Sequence, residues 1–269
     1  MRIAIFQGPE QAKTPTEAAD LLALHAADAA GRGARLLVCP EMYLTGYNIG
    51  PAAARRLAEP ADGASAQAVM HIARKTGIAI LYGYPERGPD DRIYNAVQLI
   101  DRAGRSVASY RKTHLFGEID RDAFSAGATL PDVVELDGLK IGILICYDVE
   151  FPENVRSLAL KGADLVVVPT ALMQPFDIVA RTIVPARAYE NQVYLAYADR
   201  CGREGALEYC GLSCVIAPDG SDLARAGRDE TLIVADLDAG RLTQSRKLNT
   251  HLVDRRPDLY GALGQTKGA

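Results

Sequence analysis

The stretch that most constrains the fold is a short apolar run that ends in a cysteine. Lys140–Ile145 has the length of a strand and is rich in β-branched side chains, a composition typical of a buried strand. Cys146 follows where this strand should end, and a helical pattern then runs over Glu153–Lys161 to a stop at Gly162. A strand that leads into a helix in this way is typical of an α/β fold. Cys146 is then either a reactive group at the carboxyl end of a strand or a small apolar core residue.

Strand and helix patterns alternate along the rest of the chain. Outside Lys140–Ile145, the predicted strands are Arg2–Gln7, Ala34–Val38, Ile78–Pro85, Ile93–Ile100, Ser106–Arg111, Val133–Leu136, Asp164–Pro169, Val193–Ala198, Ser213–Ala217, Asp222–Ala226 and Leu232–Asp236. The predicted helices besides Glu153–Lys161 are Thr14–Gly31, Ala52–Ala58, Ala64–Lys75, Ile178–Asn191 and Ala239–Lys247. Turn signals at Asp101–Gly104 and Asp137–Gly138 predict antiparallel hairpins within this pattern. The chain therefore predicts two mixed sheets with helices on their outer faces, in one domain spanning residues 1–269.

Two segments resemble each other across the halves of the chain. A-R-L-L-V-C-P-E at residues 34–41 and A-D-L-V-V-V-P-T at residues 163–170 each follow a predicted helix. The similarity indicates either pseudo-symmetry or simply two apolar strands that follow two helices.

Composition and charge narrow the classes of partner. The chain of 269 residues is 48% hydrophobic and 24% charged, so it can bury a substantial core without disulfides or metal. Its net charge is only -4 and its Lys and Arg residues are scattered, which argues against a nucleic acid or an anionic membrane as partner. The chain begins with a strand pattern, and no apolar run approaches the roughly 18 residues of a membrane span. We therefore expect a cytoplasmic protein.

The cysteines and histidines do not form a metal-binding pattern. The five cysteines contain no C-x-x-C pair, and the four histidines are dispersed. We expect no metal and no organic cofactor. Apart from Cys146, the cysteines are predicted to be reduced and structural.

Three polar side chains stand where predicted strands end: Glu41, Lys112 and Cys146. Each has an ordinary alternative, respectively a solvated carboxylate, a surface cation and a core thiol. Together they form a chemically sensible set, because a thiol with a reference pKa of about 8.5 needs a base at neutral pH. A buried carboxylate supplies that base, and a lysine cation stabilises the oxyanion of acyl transfer. The backbone N–H of Tyr147, at the turn after Cys146, is predicted to be a second oxyanion donor.

Three sequence blocks around these residues make the chain resemble the nitrilase, or carbon–nitrogen hydrolase, superfamily. The blocks are P-E-M-Y-L-T-G-Y at Pro40–Tyr47, Y-R-K-T-H-L-F at Tyr110–Phe116 and I-C-Y-D-V-E-F-P-E at Ile145–Glu153. The resemblance covers essentially the whole chain, and it includes R-A-Y-E-N at Arg187–Asn191. Each block alone is moderately specific, but the three in this order and at these separations are very specific.

The resemblance implies a fold, an assembly and an activity. The fold would be a four-layer α-β-β-α sandwich of two mixed sheets. The protein would form a homodimer or a higher homo-oligomer, with the C-terminal segment at about residues 243–269 in the interface. The activity would be that of an amidase acting on a short linear ω-amino amide through a cysteine acyl-enzyme. The same catalytic residues would also suit a broader aliphatic amidase, an N-carbamoyl-amine or N-carbamoyl-amino-acid hydrolase, or a nitrilase.

The resemblance also implies roles for individual residues. Glu41 would be the general base, Lys112 the oxyanion stabiliser and Cys146 the nucleophile. The family often has a second glutamate in the pocket after the lysine block, and Glu118 is the candidate. Tyr47, beside the tight turn at Gly46, either packs or lines the substrate entrance, and we count it with Tyr147 as a substrate-binding candidate.

Nearby polar residues are predicted to be structural. Asp148 and Glu150 follow the nucleophile at a helix start, where anions are favourable. His114 belongs to the lysine block and is not expected to be the base. Arg187 and Glu190 are predicted to form an ion pair on one helix.

Overall fold

The computed structural model describes residues 1–8 and 14–264 of the chain, which fold around two six-stranded mixed sheets. In chain order the strands are β1 (Arg2–Gln7), β2 (Leu36–Val38), β3 (Ala79–Arg87), β4 (Ile93–Ile100), β5 (Ser106–Arg111), β6 (Val134–Leu136), β7 (Leu139–Ile143), β8 (Leu165–Pro169), β9 (Tyr194–Ala198), β10 (Arg203–Glu204), β11 (Leu207–Glu208), β12 (Cys214–Ile216), β13 (Asp222–Arg225) and β14 (Thr231–Asp236). The α-helices are α1 (Pro15–Gly31), α2 (Gly50–Leu57), α3 (Ala64–Thr76), α4 (Gly117–Arg121), α5 (Pro152–Leu160), α6 (Val184–Asn191) and α7 (Ala239–Leu248).

Each sheet has parallel strands at its centre and antiparallel strands at its sides. The first sheet has the order β14-β1-β2-β3-β4-β5, in which β1, β2 and β3 are parallel. The second sheet has the order β13-β12-β9-β8-β7-β6, in which β7, β8 and β9 are parallel. The β4–β5 and β6–β7 pairs are antiparallel, as the turn signals predict. The carboxyl ends of the parallel strands in each sheet lie at one edge, where polar side chains can gather.

Side chains that alternate along the parallel strands separate the layers. Leu36 and Val38 of β2 lie in one core with Leu165 and Val167 of β8, so the two sheets pack face to face. Leu37 points to the other side of its sheet, where it packs with buried residues of α1 and α3. The outer face of the second sheet packs with α5 and α6 in the same way. This arrangement confirms the predicted α-β-β-α sandwich.

Before α7, the helical segments differ from prediction in three places. A 3₁₀-helix at Cys146–Glu150 precedes α5, so the chain makes an extra turn between the cysteine and the helix. The helix predicted over Ile178–Asn191 begins as a π-helix at Val179–Ile183 and continues as α6. The sequence pattern did not predict the short α4. In the described ranges, no helix is both long and apolar enough to cross a membrane.

The segment expected in a subunit interface lies at the C-terminal end of the chain. It begins within α7 and continues through 3₁₀-helices at Pro257–Leu259 and Gly261–Gly264. The last five residues of that prediction, 265–269, lie outside the described part of the chain.

Candidate active site

Cys146 is held in a strained conformation just beyond the end of β7. Its φ is +46°, in the left-handed region that residues other than glycine rarely adopt. Such strain persists only where the surroundings impose it, and here Asp148 does so. One carboxylate oxygen of Asp148 accepts hydrogen bonds from the Ile145 N–H (3.1 Å) and the Tyr110 hydroxyl (2.9 Å). The predicted structural role of Asp148 therefore agrees with its contacts.

Arg187 fixes the far end of the same 3₁₀-helix. It donates to the carbonyls of Val149 (3.1 Å) and Glu150 (2.7 Å) and forms the predicted ion pair with Glu190 (3.1 Å). The backbone that carries Cys146 is thus bound at both ends by charged side chains.

Glu41 and Lys112 meet in the interior. Lys112 Nζ lies 2.8 Å from Glu41 Oε1, and both side chains are fully buried. Asn95 donates a second hydrogen bond to the same oxygen, at 2.6 Å. The other oxygen, Glu41 Oε2, is buried and has no hydrogen-bond partner among the described residues. Glu41 therefore has one oxygen held in place and one available to accept a proton.

Asp120, and not Glu118, is the second carboxylate beside Lys112. Asp120 Oδ2 lies 2.7 Å from Lys112 Nζ and accepts from the Phe116 N–H at 2.9 Å. The Glu118 side chain is exposed and forms no hydrogen bond or ion pair within the described residues. The two residues stand two positions apart on α4, and such residues point roughly 200° apart around a helix. The structure thus places Asp120 beside Lys112, whereas α4 turns the predicted Glu118 side chain to solvent.

The second sheet contributes the groups that contact the thiol. The Thr170 side chain and the Ala171 backbone N–H, just beyond β8, are hydrogen-bond partners of Cys146. The Glu41 N–H also donates to the Thr170 carbonyl, at 3.3 Å. Glu41 and Thr170 are the last residues of the two similar segments, so the turns after β2 and β8 are in direct contact.

Burial and the neighbouring charges together shift the pKa values of this cluster. It raises the pKa of Glu41 even though Lys112 lies beside it. Burial and the Glu41 charge hold the pKa of Cys146 well above its ordinary value, against the opposing effects of Lys112 and Thr170. Burial also opposes the charge on Lys112, but Glu41 and the other nearby acidic groups outweigh it and keep the pKa of Lys112 well above its usual value. These pKa shifts favour the neutral thiol of Cys146 and the cation of Lys112, and they make Glu41 a stronger base than an exposed glutamate.

A cavity of about 210 Å³ opens onto Cys146. The residues that line it are Tyr47, Phe116, Cys146, Tyr147, Glu150, Ala171, Leu172, Met173 and Phe176. Both predicted substrate contacts, Tyr47 and Tyr147, are thus at the cavity wall. Tyr47 also places its ring 5.7 Å from Lys112 Nζ, so it contacts the catalytic cluster as well as the cavity.

His114 and Glu150 are both predicted to be structural, but they occupy different positions. His114 Nδ1 lies 2.8 Å from Asp148 Oδ1 and the His114 ring stacks on Phe151, which agrees with a structural role. Glu150, expected to be structural, instead lines the cavity. Sequence reasoning did not assign Asn95, Asp120 or Thr170 to the site. Of these three, only Thr170 is indicated by the sequence, because its segment is similar to the one that ends in Glu41.

Comparison with known proteins agrees with this arrangement. Residues 2–247 match the Carbon-nitrogen hydrolase family. Because the match spans most of the chain, the chain belongs to the carbon–nitrogen hydrolase family. The predicted family and enzyme class, a hydrolase of carbon–nitrogen bonds, are thereby confirmed.

Individual relatives cover nearly the whole chain. A protein of Pseudomonas protegens described as "Hydrolase in pqqF 5'region" is 54% identical over 266 residues, which are 98% of this chain and 92% of that protein. An (R)-stereoselective amidase of a Pseudomonas species is 38% identical over 84% of this chain and 81% of its own length. A solved structure of a mutant amidase from Nesterenkonia sp. AN1 is 35% identical, covers 97% of this chain and 95% of its own, and has a TM-score of 0.84. That structure shows covalent addition of the acetamide moiety of fluoroacetamide at the active site cysteine.

Proposed function

We propose that the protein is a thiol amidase in which Glu41, Lys112 and Cys146 carry out the reaction. The observation that supports this most directly is the asymmetric environment of Glu41. One oxygen is held by Lys112 and Asn95, while Oε2 is buried without a partner among the described residues. A carboxylate held in this way is oriented to take a proton.

In the first half of the reaction the enzyme is acylated. Glu41 takes the thiol proton of Cys146 as sulfur bonds to the amide carbonyl carbon. The carbonyl oxygen becomes an oxyanion, which the Lys112 ammonium and the Tyr147 N–H stabilise. Glu41 then gives its proton to the nitrogen, the C–N bond breaks, and ammonia leaves a thioester on Cys146.

In the second half water hydrolyses the thioester. Glu41 takes a proton from a water molecule while the water oxygen bonds to the thioester carbon. The same oxyanion donors stabilise the second tetrahedral intermediate. The C–S bond breaks, the carboxylic acid leaves, and the thiol regains its proton.

For the substrate we propose a short linear ω-amino amide, 5-aminopentanamide, which would give 5-aminopentanoate and ammonia in lysine degradation. The support is a resemblance to bacterial 5-aminopentanamidase in P-E-M-Y-L-T-G-Y-N-I-G, Y-N-A-V-Q-L-I-D and Y-R-K-T-H-L-F-G-E-I-D-R. The small cavity lined by aromatic rings suits a narrow aliphatic chain.

A substrate panel tests this choice. Ammonia release should be measured with 5-aminopentanamide, pentanamide, and the nitrile and N-carbamoyl counterparts of the amino amide. We expect the highest kcat/KM with 5-aminopentanamide. Equal turnover of pentanamide would indicate a broader aliphatic amidase, and a preference for the nitrile or N-carbamoyl compound would indicate one of the related activities.

Cys146→Ala tests the mechanism independently of the substrate. It should abolish ammonia release and leave the melting temperature close to that of the wild type. Intact-mass spectrometry of the wild type during turnover should show an acyl adduct on Cys146. Full activity in the variant would contradict the mechanism.

We also propose that the protein is a homo-oligomer whose interface includes the C-terminal segment. Three apolar side chains of this segment, Leu248, Val253 and Leu259, are between 66% and 83% exposed. Exposed apolar groups grouped in one segment are typical of an interaction surface.

A further inference from the structure

Glu150 places in the active-site cavity a carboxylate that forms no ion pair with any of the described residues. Its side chain lines the same cavity as Cys146 and is half-buried. Arg187 binds the backbone carbonyl of Glu150, not its carboxylate. Throughout the described ranges, no hydrogen bond or ion pair satisfies the Glu150 carboxylate.

Unlike Glu150, the other acidic residues around the site have ion-pair or hydrogen-bond partners for their carboxylates. Glu41 and Asp120 are both bound to Lys112, and Asp148 accepts from the backbone and from Tyr110. Glu150 is the exception among these acids. Burial raises the pKa of Glu150 more than the charges of Lys112 and Arg187 lower it. A half-buried carboxylate of this kind is stabilised when a cation enters beside it.

Apart from Cys146 and Glu150, the residues that line the cavity are apolar or aromatic. Phe116 packs edge-on against Tyr147 at 5.3 Å and against Phe176 at 5.9 Å. All three rings line the cavity. Such walls suit the hydrocarbon part of a ligand, and their faces also attract an ammonium group.

The size of the cavity suits a short chain. Cys146 and Glu150, the first and last residues of one 3₁₀-helix, both line this cavity of about 210 Å³. A cavity of this size can hold a chain of four methylene groups between an amide and an amine.

We propose that Glu150 binds the terminal ammonium of the substrate and thereby determines specificity for amides with a cationic end. The inference rests on the proposed amidase function and supplies the recognition group that the sequence did not identify. Glu150 would form an ion pair with the ammonium while Cys146 attacks the amide at the other end of the cavity. The reaction steps themselves do not require Glu150.

The test compares two amides of the same length and shape. 5-Aminopentanamide carries the ammonium, whereas hexanamide has a methyl group in its place. In Glu150→Gln we expect kcat/KM for 5-aminopentanamide to fall about tenfold or more relative to kcat/KM for hexanamide. In Glu150→Lys the preference should reverse toward adipamate, which has a carboxylate at that end. Glu153→Gln is the matched control, because Glu153 is exposed and does not line this cavity.

The outcomes separate this inference from the proposed substrate. If the wild type does not prefer 5-aminopentanamide to hexanamide, both the ω-amino amide proposal and the role of Glu150 fail. If the wild type has this preference and Glu150→Gln keeps it, only the role of Glu150 fails. Equal losses on both amides in Glu150→Gln would place this residue in the chemistry and overturn its role in recognition.

Discussion

At the scale of single residues, the central feature is a lysine between two carboxylates. Lys112 Nζ lies 2.8 Å from Glu41 and 2.7 Å from Asp120, and all three side chains are fully buried. Removing one partner from a buried ion pair leaves an uncompensated charge, which is more costly than removing an exposed pair. The position of the cation thus depends on Asp120 as much as on Glu41.

Asp120 and Glu118 make a matched pair of tests. Asp120→Asn should lower the free energy of unfolding by about 3 kcal/mol and kcat/KM by at least about tenfold, because Lys112 loses one of its two anions. Glu118→Gln should change the free energy of unfolding by less than about 0.5 kcal/mol, since Glu118 is exposed. Urea unfolding and ammonia release measure both effects. A larger loss of stability or of activity in Glu118→Gln would show that Glu118 belongs to the site.

The pH dependence of activity follows from Glu41. The base works only when it is unprotonated, and burial raises its pKa. Activity should therefore fall, as the pH is lowered, at a higher pH than an ordinary glutamate with a pKa of about 4.3 would produce. The measurement is kcat/KM against pH, with the melting temperature recorded over the same range to exclude acid unfolding. If kcat/KM instead falls only near the pKa of an ordinary glutamate, this would argue against Glu41 as the base.

At the scale of elements, the site depends on close contacts between strands and the turns that follow neighbouring strands. Gly83 of β3 lies against the backbone of the turn that carries Glu41. A Cβ at Gly83 would be 2.4 Å from the Met42 nitrogen and 3.1 Å from the Glu41 carbonyl carbon. Met42 itself has a φ of +51°, so this turn is already constrained. The base keeps its position because β3 has no side chain at this point.

Gly83→Ala tests that contact. The added methyl group should push the Glu41–Met42 backbone away and lower the free energy of unfolding by about 1–3 kcal/mol. Because Glu41 moves with this backbone, kcat should fall more than KM changes. Gly31→Ala is the control, since no atom of the described residues lies within 4 Å of a Cβ there. Unchanged kcat in Gly83→Ala would show that the turn absorbs the methyl group without moving the base.

At the scale of the whole molecule, the catalytic residues come from both sheets. Glu41 and Lys112 follow β2 and β5 of the first sheet, whereas Cys146 and Thr170 follow β7 and β8 of the second. The shared core that includes Leu36 and Val167 brings these strand ends together. The site therefore exists only when the two sheets are packed against each other.

The proposed interface predicts a change of mass on truncation. Removal of residues 249–269 should convert the oligomer to a monomer, because the exposed Val253 and Leu259 are removed. Light scattering after size-exclusion chromatography measures this mass. Leu24→Ala is the control, since Leu24 lies on the outer face of α1 and is as exposed as Leu259. A monomeric wild type, or a truncated protein of unchanged oligomeric state, would contradict the prediction.

The sequence by itself determined the layers of the fold and the three residues proposed for the chemistry. Apolar runs such as Leu165–Pro169 predict strands that are buried on both faces. Glu41, Lys112 and Cys146 each lie in a local sequence block next to the end of a strand. The tertiary structure decided which other side chains join them. Asp120 replaces Glu118 because a short helix turns one toward Lys112 and the other to solvent. Glu150 enters the cavity and Asn95 reaches Glu41 because of how separate elements pack, and no local pattern in the chain records that packing.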